Sequence, residues 1–424
     1  MNILSFKYCS YKNKNLVGGK CSSLGELYNL SQILNFNIAD GFALTIDLYD
    51  NYIRQGNLEE YIESKLDLVD IDNIKELDLI SKDLIKKINE IDFTEEQKEE
   101  IEVFYNNLSK QYNTKNLSVA IRSSALAEDL PNASFAGQQD TYLNIRGIND
   151  VIENIKRCYG SLFNTRAISY RKTHNIKFSD VKISVAVQKM VRSDIGSAGV
   201  AFSIDPESGY DKAIVINSSF GLGELVVSGG VKPDEIICDK RNLRDISCDP
   251  IIMKKIGDKN TKIVYKREGG TEEIETNMIE KVNFSITNEQ SKTLARHVLL
   301  LEEKYSKMFN KELGIDIEWA IDGKDEEIYI LQTRPETIHS NKEELEISKY
   351  ILDEKGECLI TGVAVGEKIS SGKIKLLESL DEADKFEKGD ILVTDMTTPD
   401  WEPIMKKSNG IITNKGGRTC HAAI

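Results

Sequence analysis

The side chains with chemistry to offer are spread over the whole chain: Lys20, Arg122, Glu318, Gln332, Arg334 and His421. His421 sits in Asn414-Lys415-Gly416-Gly417-Arg418-Thr419-Cys420-His421-Ala422-Ala423-Ile424. The paired glycines let the backbone curl, and Thr419 is a helix-cap type. His421 then falls in the first helical turn, where N–H groups lack partners and the dipole end is positive. That setting suits a histidine that carries a phosphoryl group, and it equally describes an ordinary capped helix start. Lys20 follows Gly18-Gly19 and precedes Leu24 and Leu27, a glycine turn feeding a helix. It can set an ammonium and free N–H groups on phosphate, or it is a solvated lysine at a helix terminus.

Arg122 follows the alternating Leu117, Val119 and Ile121, at the predicted end of a strand and ahead of small residues. Its planar fork fits phosphate oxygens, and a salt-bridged surface arginine is the plain alternative. Near the other end of the chain, Ile315, Ile317, Trp319 and Ile321 alternate, Asp322-Gly323-Lys324-Asp325 turns, and Ile328 to Pro335 returns. Glu318 faces away from the apolar set, and Gln332 and Arg334 share a face. A carboxylate, an amide oxygen and a guanidinium converging there suit a magnesium–phosphate site. An edge ion pair between Glu318 and Arg334 explains the same residues.

Several function classes drop out. No GxxxxGK[ST] occurs, so a nucleotide must be held by another architecture, and Phe220-Gly221-Leu222-Gly223 lacks the third glycine of a dinucleotide fingerprint. A net charge of −14 argues against a general nucleic-acid or anionic-membrane binder, so phosphate-binding cations must be local. No apolar run spans a bilayer, and the start MNILSFKYCSYKNKN lacks a signal-peptide core, which points to the cytoplasm. The 7 cysteines are scattered and odd in number with no CxxC, against a disulfide framework or zinc site. Cys420 has no evident base to activate it.

These residues need elements to position them. Residues 47–112 read as polar helices covering a sheet, one of them capped by Thr94 with Gln97. Asn132 to Asp140 reads as a long loop with no secondary structure of its own, able to lie over a ligand. Thr141, Leu143 and Ile145 alternate as a strand, and 150–171 reads as one amphipathic helix with Ile152, Ile155, Tyr159, Leu162 and Phe163 inward. Strands follow at 183–191, 199–204 and 213–217. Met190, at a strand end, packs on an adenine or simply in the core. Thr287 caps a long helix to about Lys307, in which His297 is structural. Residues 337–354 read as a linker, and a small β/α unit begins near 359 with short strands at 359–366, 370–374, 390–394 and 410–413. Its last helix has barely begun at Ile424, so the sequence reads as the front of a longer protein. At 424 residues with 40% hydrophobic content, the chain is expected to be an α/β (α+β) protein of about two or three domains.

Four groups of residues, taken together, resemble the phosphoenolpyruvate synthase and pyruvate phosphate dikinase family of PEP-utilising enzymes. They are Val17-Gly18-Gly19-Lys20; Ala120-Ile121-Arg122-Ser123-Ser124 with Ser134-Phe135-Ala136-Gly137-Gln138-Gln139; Asp316-Ile317-Glu318-Trp319 with Leu331-Gln332-Thr333-Arg334-Pro335; and Gly416 to Ala423. The match runs nearly the whole length in family order. Thr394 to Pro403 and the Thr-Cys pair before His421 favour the synthase branch.

The resemblance implies an ATP-grasp nucleotide domain over 1–336, a linker at 337–356, and a swivelling phosphohistidine domain over 357–424, incomplete at its C-terminus. In the family, ATP gives its terminal pyrophosphoryl group to the histidine and AMP leaves. The outer phosphate is hydrolysed off, and the remaining phosphoryl passes to pyruvate on a C-terminal (β/α)₈ barrel that this sequence lacks. Carried over by position, Lys20, Arg122 and Arg334 neutralise phosphate charge, and Gly137 and Thr141 of the glycine loop contact phosphate. Glu318 and Gln332 bind Mg²⁺, Gln188 and Met190 flank the adenine, and His421 is nucleophile and carrier. Lys307 to Gly314 is longer than the family's usual link into the metal-binding strand. Rifampin phosphotransferases share the ATP-domain motifs but place a long substrate domain where this chain has only 337–356. A non-catalytic ATP-binding module is the reading from another class, and a homo-oligomer is compatible with all of these.

Overall fold

Leucine and isoleucine at helical spacing fold here as their period demands. α1 (Lys14–Leu34) buries Val17, Leu24 and Leu27. α2 (Ile46–Gln55), α3 (Glu59–Leu68), α4 (Ile74–Asn89) and α5 (Glu95–Gln111) supply Tyr52, Ile62, Leu84, Ile88 and Ile101 to one core. Thr94 and Gln97 form a reciprocal capping box at the start of α5, and Thr287 and Gln290 form another at the helix Asn288–Phe309. Each cap is worth about 1 kcal/mol. This structure is a computed structural model. It describes the chain except residues 72, 127–128, 131–132, 135–139, 207, 246, 337–350, 352–353, 355, 359–360, 363, 366–367, 417–421 and 424.

The helical core packs on an antiparallel sheet of order β1–β3–β8–β4–β7, formed by Ile3–Ser5 (β1), Gly41–Leu44 (β3), Ile183–Lys189 (β8), Val119–Ala125 (β4) and Thr141–Ile145 (β7). The second sheet, β12–β11–β10–β9–β15–β16–β2, is formed by Ile251–Lys255 (β12), Asp234–Asp239 (β11), Ala213–Phe220 (β10), Ser197–Phe202 (β9), Ile315–Ile321 (β15), Ile328–Pro335 (β16) and Asn37–Ile38 (β2). Its core buries Ile315, Ile317 and Trp319 with Leu294, Val298 and Tyr305 of the helix Asn288–Phe309. α1 packs against β4 and β8 of one sheet and β16 of the other. It is therefore the element that sets one sheet against its neighbour. Thr261–Tyr265 (β13) and Thr271–Glu275 (β14) form a separate hairpin.

Three sequence expectations change. β4 runs on past Arg122, because Ser123, Ser124 and Ala125 pair with Val185, Ser184 and Ile183 of β8; Arg122 is mid-strand. The segment before Thr141 is not wholly irregular: Asp129–Leu130 (β5) pairs with Ala133–Ser134 (β6). The expected helix 150–171 is broken into α6 (Ile148–Gly160), a 3₁₀ turn at Ser161–Phe163, and α7 (Thr165–Thr173). Asn164 causes the break, since its side chain accepts from Ala167 N–H and caps a new helix.

The C-terminal unit is a parallel sheet of Ile374–Leu376 (β17), Ile391–Thr394 (β18) and Gly410–Thr413 (β19). Leu377, Phe386, Leu392, Trp401 and Ile404 form its core. The described residues of 359–366 carry no strand, and the linker 337–350 lies outside the described residues. Among the described residues no helix is long and apolar enough to cross a membrane.

Candidate functional site

The site begins with a break in α1. Gly18 has φ 73° and ψ 176°, which interrupts the helix and gives Lys20 a helix start of its own. A Cβ on Gly18 would lie 2.0 Å from Ser124 O, so only glycine allows this contact with β4. Downstream, Ser23 Oγ donates to Thr333 O at 2.5 Å, tying the same helix to β16. Lys20 is thereby held between the strand that bears Arg122 and the strand that bears Gln332 and Arg334.

Arg122 is the hub. Its Nη2 donates to Glu318 Oε2 at 2.7 Å and to Gln332 Oε1 at 2.8 Å, and its Nη1 donates to Gln188 Oε1 at 3.2 Å. Side chains from β4, β8, β15 and β16 thus meet at one guanidinium. Gln188 is 2% exposed, and its Nε2 donates to Ala39 O and Leu331 O, each at 3.1 Å. Its amide oxygen is thus taken up by Arg122 and its amide nitrogen by two backbone carbonyls. Thr141 is the cross-strand neighbour of Arg122, which puts it on the same face, exposed. Met190 follows β8, half-buried. Gly137 and His421, with Thr419 and Cys420, lie outside the described residues.

The register shows which charged residues of the hairpin face each other. Glu318 stands opposite Gln332, and Arg334 stands opposite Asp316. Arg334 Nε donates to Asp316 Oδ2 at 3.1 Å. Arg334 therefore bonds Asp316, and the partner of Glu318 is Arg122, which lies in another sheet. Burial works to raise the Glu318 carboxyl, but Arg122, with help from Arg334 and Lys20, holds it below its ordinary range. Three cations from three separate segments consequently act on one carboxylate.

Asp316 is the residue that sequence reasoning passed over. Burial raises its carboxyl above the usual range against the pull of Arg334, with Glu336 and Glu318 adding to the rise. Its Oδ1 is buried without a hydrogen-bond partner. The signal was present: strict alternation puts Asp316 on the face of Glu318. Glu318, Gln332 and Asp316 make a set of hard oxygens suited to a small divalent cation. Among the described residues no cluster of three or more His, Cys, Asp or Glu side chains could hold a metal unaided. A cation here would share oxygens with a phosphate ligand.

α7 brings the C-terminal unit to the edge of this site. Arg166 donates to Asp140, beside Thr141, at 2.5 Å, and to Asp400 of that unit at 3.3 Å. Lys406 lies 5.3 Å from the centre of the Tyr170 ring. His297, by contrast, sits away from these groups beside Phe36, and burial lowers its pKa.

Comparison with known proteins finds two family matches along the chain. The family described as pyruvate phosphate dikinase, AMP/ATP-binding domain, matches residues 14–355. The family described as PEP-utilising enzyme, mobile domain, matches residues 386–424. A phosphoenolpyruvate synthase of Helicobacter pylori is 45% identical over 99% of this chain and 53% of its own length. One from Aquifex aeolicus is 43% identical over 96% of this chain and 48% of its own. One from Escherichia coli K12 is 40% identical over 100% of this chain and 52% of its own. The chain spans about half the length of the curated relatives it matches.

Proposed function

Since the chain belongs to the family of pyruvate phosphate dikinase AMP/ATP-binding domains, we propose that it binds ATP at Arg122 and phosphorylates His421. In this reading residues 1–336 are an ATP-grasp nucleotide domain, 337–356 a linker, and 357–424 part of a swivelling phosphohistidine domain. The observation that carries it is the meeting of Arg122, Glu318, Gln332 and Gln188, with the charges of Lys20 and Arg334 bearing on Glu318. Lys20, Arg122 and Arg334 neutralise the phosphates, and Gly137 and Thr141 contact them. Met190 flanks the adenine, while Gln188 holds Arg122 rather than the base. Glu318 and Gln332, joined by Asp316, hold Mg²⁺, which when bound offsets phosphate charge and orients the terminal groups.

The imidazole of His421 attacks the β-phosphorus, and the bond to the α-phosphate oxygen breaks, releasing AMP. The pyrophosphoryl group stays on the histidine. Water then removes the outer phosphate and leaves a phosphohistidine. Positioning and charge stabilisation do most of the work, as in phosphoryl transfer generally. In the whole protein the phosphoryl goes on to pyruvate, giving phosphoenolpyruvate, in the cytoplasm.

ATP labelled at the β-phosphate tests this. Acid-labile label is expected on the protein, with AMP released, and His421→Ala is expected to abolish labelling while ATP still binds. Label that persists in that variant contradicts the assignment of the carrier.

A further inference from the structure

Ser124 has no place in the chemistry above, yet it touches the machinery at two points. It lies on β4 two residues after Arg122 and on the same face, with 0% exposure. Its Oγ donates to Val17 O at 2.8 Å and accepts from Cys21 N–H at 3.0 Å. Between those two backbone groups lie only Gly18, Gly19 and Lys20. One hydroxyl therefore closes both ends of the turn that presents Lys20. The fit is close as well as bonded: a Cβ on Gly18 would meet Ser124 Oγ at 2.5 Å. The neighbour across the ladder, Ser184, braces the same place, donating to Leu44 O at 2.7 Å and contacting Cys21 Sγ at 3.6 Å.

We propose that Ser124 is a positioning residue that fixes Lys20 relative to Arg122, so that both cations meet the phosphates as one rigid unit. This rests on the reading of the site as an ATP site. The physical reason is that a lysine side chain is long and flexible, so the placement of its ammonium depends on where its backbone is held. Arg122 is already fixed by Gln188, Glu318 and Gln332. Ser124 transfers that fixity across to the turn. Removing the hydroxyl takes away the two bonds that tie this turn to β4, and the turn is then free to shift relative to Arg122.

The test compares ATP with adenosine, which shares the base and ribose but has no phosphates. Binding of each to the full chain is measured by calorimetry with Mg²⁺ present. In Ser124→Ala the preference for ATP over adenosine is expected to fall roughly tenfold or more, with adenosine affinity unchanged. In a Lys20→Ala background, Ser124→Ala is expected to change the preference no further, because it acts through Lys20. Ser124→Cys keeps the shape with a weaker donor and acceptor and is expected to fall between, and it stands in where Ser124→Ala does not fold. A purely structural serine would lower the affinities for ATP and adenosine together, which overturns the proposal. So does an unchanged preference in both Ser124 variants. A wild-type chain that does not prefer ATP overturns the ATP reading itself, a separate result from either of these.

Discussion

Two ion networks in this molecule are built alike and finished differently. Asp234 and Lys259 are both 0% exposed and 2.5 Å apart. Asp234 Oδ1 also accepts from Gly257 N–H, and Oδ2 accepts from Ser285 N–H and its hydroxyl. Lys259 Nζ donates as well to Gly257 O at 3.1 Å. Both carboxylate oxygens have partners, so the pair fastens the start of β11 to the residues leading into β13 and the segment before the helix Asn288–Phe309. The Arg122–Glu318 pair is only partly covered, at 13% and 29% side-chain exposure. Beside it stands a buried acceptor, Asp316 Oδ1, with no partner. A buried pair with every carboxylate oxygen partnered holds a fold together, and an unpartnered buried acceptor beside a partly exposed pair has bonding capacity for a ligand.

Breaking each network should give opposite outcomes. Lys259→Met leaves the Asp234 charge buried without its counter-charge, with an expected loss of about 3–5 kcal/mol of stability. Denaturant unfolding reads that loss, while the folded fraction should keep its affinity for ATP. Arg122→Ala should cost less stability, since water reaches Glu318, but should weaken ATP binding about 10- to 100-fold by calorimetry. The contrast between the networks is lost if Arg122→Ala matches Lys259→Met in stability and leaves ATP binding intact.

The smallest effect is in the titration of Glu318. Its folded pKa is depressed, so the stability it contributes is present above its ordinary 4.5 and lost as pH falls below that value. In Arg122→Ala the burial that opposes this shift is no longer outweighed. The acid-side loss should shrink, and the Glu318 carboxyl should move upward in an NMR titration. An unmoved carboxyl would mean that Arg122 does not control it.

Much of this was legible in the sequence, for local reasons. The alternation of β15, the turn at Asp322 and the caps at Thr94 and Thr287 all depend on residues a few positions apart. The partner of Glu318 was not legible, because Arg122 is 196 residues away and β-strand register fixes which residues face each other. The same holds for Ser124, whose bonds to the Lys20 turn span about a hundred residues. Asn164 was overlooked because a cap in the middle of an amphipathic pattern does not disturb the apolar period. The extra length of β4 came from pairing with β8, which small residues such as Ser123 and Ser124 do not announce.

That Arg122, Glu318, Gln332 and Asp316 together receive a metal-bound nucleotide is tested most directly by titrating Mn²⁺ as a stand-in for Mg²⁺. Electron paramagnetic resonance follows the free ion, with and without ATP, in the wild-type chain and in Glu318→Gln. Mn²⁺ should be immobilised strongly by the wild-type chain only when ATP is present, and much more weakly by Glu318→Gln under the same conditions. Equal immobilisation by the two proteins in the presence of ATP would contradict the assignment of this site.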